Sequence, residues 1–115
     1  MSRSPAQLSE ADMEMHDAKR IEIMIEQIME KRLTDLLIEN GVSGFSVLPV
    51  RGGSGRSGQW SRQGQISRAE GMSAVVCLIK PERLDVLLDV ILPVLERHIG
   101  VVNITDAKIL RAERF

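Results

Sequence analysis

Isoleucines 21, 23 and 25 alternate with Arg20, Glu22 and Glu26, so residues 19–26 read as a strand with one buried face. The period changes at Ile28. Met29, Leu33, Leu36 and Leu37 then fall on one helical stripe, with Glu30, Lys31, Asp35 and Glu39 toward water. Asn40-Gly41 is a helix stop, because glycine readily takes the left-handed conformation that ends a helix. Residues 44–50 return to strand character. The run 74–79, Ala-Val-Val-Cys-Leu-Ile, is apolar at both parities and predicts a strand covered on both faces. Pro81 opens a second helix, whose stripe is Leu84, Leu87, Leu88, Ile91, Leu92 and Leu95. Arg83 falls off that stripe, on the exposed side, and Pro93 inside it predicts a kink. Gly100 ends the helix, and residues 101–110 are strand material that breaks near Thr105-Asp106. Residues 1–17 are polar, acidic and aperiodic, and are read as a mobile tail before a single domain at 18–115.

The order strand, helix, strand, loop, strand, helix, strand defines an α+β, ferredoxin-like (βαββαβ) arrangement. It has an antiparallel sheet with both helices on one face. A central strand apolar on both sides then needs cover on the helix-free face. Another copy of the chain is the economical cover, so the expected species is a homo-oligomer.

Composition narrows the function. A chain of 115 residues with 43% hydrophobic and 27% charged positions is a globular domain, not a disordered one. No apolar run approaches the roughly 20 residues that span a bilayer, and the first residues lack the apolar core of a secretory signal. With a single cysteine, Cys77, the expected compartment is the reducing cytoplasm. Two histidines and one cysteine, scattered at 16, 98 and 77, do not make a metal site. Nor does a catalytic set emerge. Ser54, Ser57 and Ser61 have no nearby histidine, Glu70 is a lone carboxylate, and Cys77 sits in an apolar strand. The chain reads as a non-enzyme.

The net charge is −1, yet Arg51, Arg56, Arg62 and Arg68 give residues 51–68 a charge of +4 with no acidic residue, leaving −5 for the rest. Six of the nine glycines lie at or near this stretch, which shows no hydrophobic period and is read as unable to order itself. Gly52, Gly53 and Gly55 beside Arg51 and Arg56 suit a phosphate, because glycine lets backbone amides approach an anion and guanidinium binds it bidentately. The stretch is not a Walker A loop, since no Gly-Lys-Ser/Thr follows.

Gly41-Val42-Ser43-Gly44-Phe45-Ser46-Val47 resembles the Gly-Val-Thr-Gly-Met-Thr-Val signature of the PII signal-transduction family. By element order the resemblance spans residues 19 to about 112. The glycine-arginine stretch, about 51–71, stands where that family has its T-loop, and Val50-Arg51-Gly52 with Gly55-Arg56 looks like its base. Ala107-Lys108-Ile109-Leu110-Arg111 resembles the family's last strand. Pro93, the Gly100-Val-Val turn and the ending through Arg114 look most like the carboxysome-associated PII-like proteins. The resemblance implies a homotrimer with nucleotide in the clefts between subunits. Adenine would lie against Gly41, Val42, Ser43, Gly44, Phe45 and Ser46. The phosphates would point to Arg51, Gly52, Gly53, Gly55 and Arg56, and to Lys108, Arg111 and Arg114. Ser57, Gly58, Gln59 and Arg62 would take an anion or serve the T-loop.

Departures from the family refine this. There is no tyrosine to uridylylate, and Ser57 stands where a magnesium-chelating glutamine is expected, which demotes 2-oxoglutarate. Arg97-His-Ile-Gly-Val-Val-Asn103 replaces the Thr-Gly-x-x-Gly-Asp-Gly-Lys loop, so the lysine for a distal phosphate is missing. ADP or AMP is thus favoured over ATP, with a small anion such as bicarbonate as second ligand. The T-loop would signal by ordering, to a membrane transporter or carbon-fixation partner in inorganic-carbon or nitrogen uptake. The competing readings are a nucleic-acid-binding ferredoxin-like domain and a purely structural trimer. Nucleic acid is not expected, because Phe45, Trp60 and Phe115 are the only aromatics for stacking.

Overall fold

The computed structural model describes residues 13–55, 58–61, 71–98 and 100–110. Strand β1 (His16–Glu26) leads through a 3₁₀ turn (Gln27–Met29) into α1 (Glu30–Glu39) and then β2 (Phe45–Val50). Two short strands follow, β3 (Gly52–Gly55) and β4 (Gly58–Ser61), then β5 (Met72–Ile79). A second 3₁₀ turn (Pro81–Arg83) opens α2 (Leu84–Glu96), and β6 (Gly100–Ile109) closes the order. The main sheet runs β2-β5-β1-β6 with every pair antiparallel. This is the ferredoxin-like arrangement, with β3–β4 inserted between the second and third strands of the sheet.

Cross-strand partners share a face, so the register sorts the residues. Ile21 pairs with Cys77, and Ile23 with Val75. Both rows are buried and pack with Leu33, Leu37, Leu87, Ile91 and Val94 of the helices. Among the described residues, the opposite face is bare of helices. There one apolar row crosses all four strands, Leu48–Ala74–Met24–Val101. Leu48 is 50% exposed, Val101 62% and Leu78, on the same face, 39%. β5 is therefore sealed by helices on one side only, which leaves open the face that the sequence pattern expects another copy to cover.

Four other expectations shift. β1 begins at His16, inside the segment read as tail, because it pairs with β6 as far as His16–Ile109 while its pairing with β5 ends at Lys19–Ile79. A two-stranded extension without helix cover carries no hydrophobic alternation. β6 runs unbroken through Thr105 and Asp106, whose strand-averse carboxylate is met across the ladder by Lys19 at 2.5 Å. α1 proper starts at Glu30 rather than Ile28, after the 3₁₀ turn. The glycine-arginine stretch is in part a hairpin, with Gly52 paired to Ser61, Gly53 to Trp60, Ser54 to Gln59 and Gly55 to Gly58. Ladder hydrogen bonds use the backbone alone, so glycine can form them without the side-chain periodicity that sequence reading depends on. Pro93 lies inside α2, within the apolar stripe where the sequence places it.

Cys77, 3% exposed among these apolar side chains, has its thiol pushed up from 9.0 to about 11 by burial. The neutral thiol is thus the folded form. Its contribution to stability is complete below the unfolded thiol value near 8.5 and is lost as pH rises through about 11. Ellman's reagent at about pH 8 is expected to label the unfolded chain quickly and the native chain only slowly. Equal rates would contradict the burial.

Candidate functional site

The C-terminus of α1 is tied off at several points. The Asn40 side-chain amide donates to the Leu36 carbonyl at 2.8 Å, and the Gly41 and Val42 amides donate to the carbonyls of Ile38 (3.1 Å) and Leu37 (2.9 Å). Gly41 sits at φ +81°, a conformation that strains any side chain, and Val42 plugs into the core. Beyond this knot Ser43 and Gly44 are exposed, and β2 follows as an edge strand. A Cβ on Gly44 would meet nothing within 4 Å, so no atom of the described chain requires glycine there. The result is a fixed turn that presents open backbone beside a strand edge with no sheet partner among the described residues. Pro49, which lacks an amide, is accommodated in this edge strand.

Arg83 completes the turn. Its guanidinium donates to the Asn40 carbonyl at 2.6 Å and the Gly41 carbonyl at 3.2 Å. Reading Arg83 as a bystander on the helix surface missed this contact, which joins residues 42 and 43 positions apart in sequence. Its only local signal is its place at the end of the 3₁₀ turn, which lifts it off α2.

At the far end of β2, Arg51, Gly52 and Gly53 are exposed. The other limb of the loop is anchored, since Gln27 donates its amide to the Gly71 carbonyl at 2.8 Å and buried Ser73 donates to the Glu30 carboxylate at 2.6 Å. Glu26 beside this base approaches His98 at 3.6 Å. Gly58 and Gln59 lie in β4. Arg56, Ser57, Arg62, Arg111 and Arg114 lie outside the described residues.

Lys108 stands on β6, at the opposite edge of the sheet from the turn. Three interstrand steps of about 4.8 Å put these edges about 14 Å apart. Lys108 is also paired with Asp17, and its ammonium holds the Asp17 carboxyl below the usual carboxylate range. Asp17, Lys19, Asp106 and Lys108 line a shallow groove whose charges are already matched. One chain therefore gathers residues 41–46 and the loop base along a single edge, while Lys108 faces a different one. Among the described residues, no three His, Cys, Asp or Glu side chains cluster as they would for a metal.

This defines a ferredoxin-like domain with a long loop between the second and third sheet strands and an exposed glycine turn at the sheet edge. The family model of nitrogen regulatory protein P-II matches residues 18–114, and the chain belongs to that family, whose members are regulatory proteins. Among solved structures, it is similar to CPII, a nitrogen regulatory PII-like protein from Thiomonas intermedia K12, bound to ADP, AMP and bicarbonate. The TM-score is 0.80 and the identity 25%, covering 89% of this chain and 96% of that one. CPII bound to ADP and bicarbonate gives 0.77 at 26% identity, over 89% and 97% of the two chains. A PII-like signalling protein from Thermus thermophilus shares the fold, with a TM-score of 0.68 at 19% identity over 90% and 99%. No curated protein sequence matches significantly.

Proposed function

We propose that this chain is a non-catalytic regulatory protein that binds ADP or AMP between subunits of a homotrimer and reports its ligand state through the T-loop. The observation that carries this reading is the turn 41–44, exposed at Gly41, Ser43 and Gly44, at a sheet edge with no partner among the described residues. It occurs in a chain similar over 89% of its length to a PII-like protein bound to ADP, AMP and bicarbonate. Adenine lies against residues 41–46, and the phosphates run along β2 toward Arg51, Gly52, Gly53, Gly55 and Arg56. Lys108 belongs to the far sheet edge, and the family resemblance sets Arg111 and Arg114 with it at the phosphates. They reach the same ligand only from a neighbouring subunit, and Lys108 must first exchange Asp17 for phosphate. Bicarbonate, or a small anion like it, takes the loop beside Ser57, Gly58, Gln59 and Arg62. The partner is a transporter or a carbon-fixation protein that reads the loop.

An isolated two-stranded hairpin is marginal in water, which leaves the balance of the β3–β4 region open to a ligand. Two guanidinium groups on a diphosphate each contribute charge-assisted bonds of about 1.5–3 kcal/mol. Arg56→Ala and Arg111→Ala are therefore expected to weaken ADP by roughly 10- to 150-fold in calorimetry, at tenfold per 1.4 kcal/mol. AMP should lose less from whichever arginine faces the distal phosphate. No binding of ADP, AMP or ATP by the parent at millimolar concentration would overturn the function. Parent-like ADP affinity in both variants would overturn the site.

A further inference from the structure

Arg83 belongs to the second half of the fold, yet its guanidinium ends on the carbonyls of Asn40, the C-cap of the first helix, and of Gly41 just beyond it. The Asn40 carbonyl sits at the negative end of the α1 dipole, which favours a cation there. The fit is close. A Cβ on Gly41 would stand 2.6 Å from Nη2 and 3.3 Å from Nη1 of Arg83, so Gly41 admits the guanidinium as well as supplying the positive φ. The short turn Pro81–Arg83 fixes the approach, with the Arg83 amide donating to the Lys80 carbonyl at 3.0 Å. Both contacted carbonyls lie within three residues of exposed Ser43, separated from it by buried Val42.

We infer that Arg83 is a positioning residue for the adenine end of the nucleotide site, holding turn 41–44 in its binding geometry from the other half of the chain. The inference rests on the proposed nucleotide function and adds a residue that touches no ligand. Arg83 is exposed, so water can replace it at the two carbonyls, and its removal costs the fold little. What is lost is the definition of the turn. A turn still anchored at Val42 but shifted at Ser43 and Gly44 penalises every adenine ligand alike, because the phosphates are bound elsewhere.

The test is calorimetry on the full-length protein with ADP and AMP, alongside urea unfolding, for Arg83→Ala and Arg83→Lys. Arg83→Ala is expected to weaken ADP and AMP by the same factor, roughly tenfold, with the urea midpoint close to the parent's. Arg83→Lys, which can reach only one carbonyl well, should recover part of the affinity. Parent-like affinity in Arg83→Ala overturns the inference, as does an Arg83→Ala chain that no longer folds. A loss much larger for ADP than for AMP overturns it too, by placing Arg83 on the phosphates. A parent that binds neither nucleotide fails the proposed function instead, so the two failures are told apart.

Discussion

Ile23→Ala is expected to lower the unfolding free energy by about 3–4 kcal/mol, within the range for emptying a large aliphatic side chain from a packed core. Ile23 is fully buried in β1, between Val75 of β5 and Val102 of β6, under Leu33, Leu37 and Ile91. Central strands have little freedom to collapse into a cavity, since both neighbours hold them by hydrogen bonds. Domains of this size are stable by only about 5–15 kcal/mol, so one substitution removes a large share. Urea unfolding at fixed protomer concentration should show the midpoint falling by more than about 1 M, given slopes of about 1–3 kcal/mol per molar. Ile38→Ala is the comparison. Ile38 is 60% exposed on α1 and should change stability by no more than about 0.5 kcal/mol. If Ile23→Ala costs less than about 1 kcal/mol, the helix-facing layer is not the core described here.

The fold was legible wherever one face of an element is covered by helices. The isoleucine alternation at 21, 23 and 25, the Leu33–Leu37 spacing and the stop at Asn40-Gly41 all reflect burial within one chain, and all correspond to elements found. Legibility failed where pairing proceeds without burial. Residues 16–17 and 105–106 are strand because backbone groups and the Lys19–Asp106 and Lys108–Asp17 pairs hold them, with Ala18 the one small apolar side chain buried beside them. The β3–β4 ladder is the extreme case, built largely on glycine. Hydrophobic period cannot report an element whose cohesion is mostly hydrogen bonding.

The site follows the same division. Turn 41–44 was visible because glycine at φ +81° is a local demand that one position in the chain must meet. Arg83 was invisible, because what it does depends on two carbonyls brought beside it by tertiary folding. Lys108 was legible as a cation but not as a paired one, since Asp17 approaches it only across the β1–β6 ladder.

Leu78→Asp is expected to convert the proposed trimer to monomer and abolish ADP binding together, although Leu78 is not among the proposed ligand contacts. Its side chain lies on the helix-free face of β5, 39% exposed, beside Arg20 of β1 in register. In one chain this aspartate is tolerable, because water reaches the position and Arg20 is adjacent. In the proposed trimer other copies would cover this face, and a carboxylate there would have to be dehydrated. Arg20 already pairs with Glu22 at 3.1 Å, so the added charge competes for one cation. Burying an unpaired charge costs several kcal/mol per copy, and a trimer incurs that cost three times. Nucleotide binding is expected to fall with it, because turn 41–44 and Lys108 lie on opposite edges of one sheet and the proposed site joins them across a subunit boundary. Sedimentation should find a monomer whose helical circular dichroism matches the parent's, and calorimetry should find no ADP heat. A monomer that still binds ADP would place the whole site within one chain. A trimer that survives with an aspartate at position 78 would mean the subunits meet through some other face.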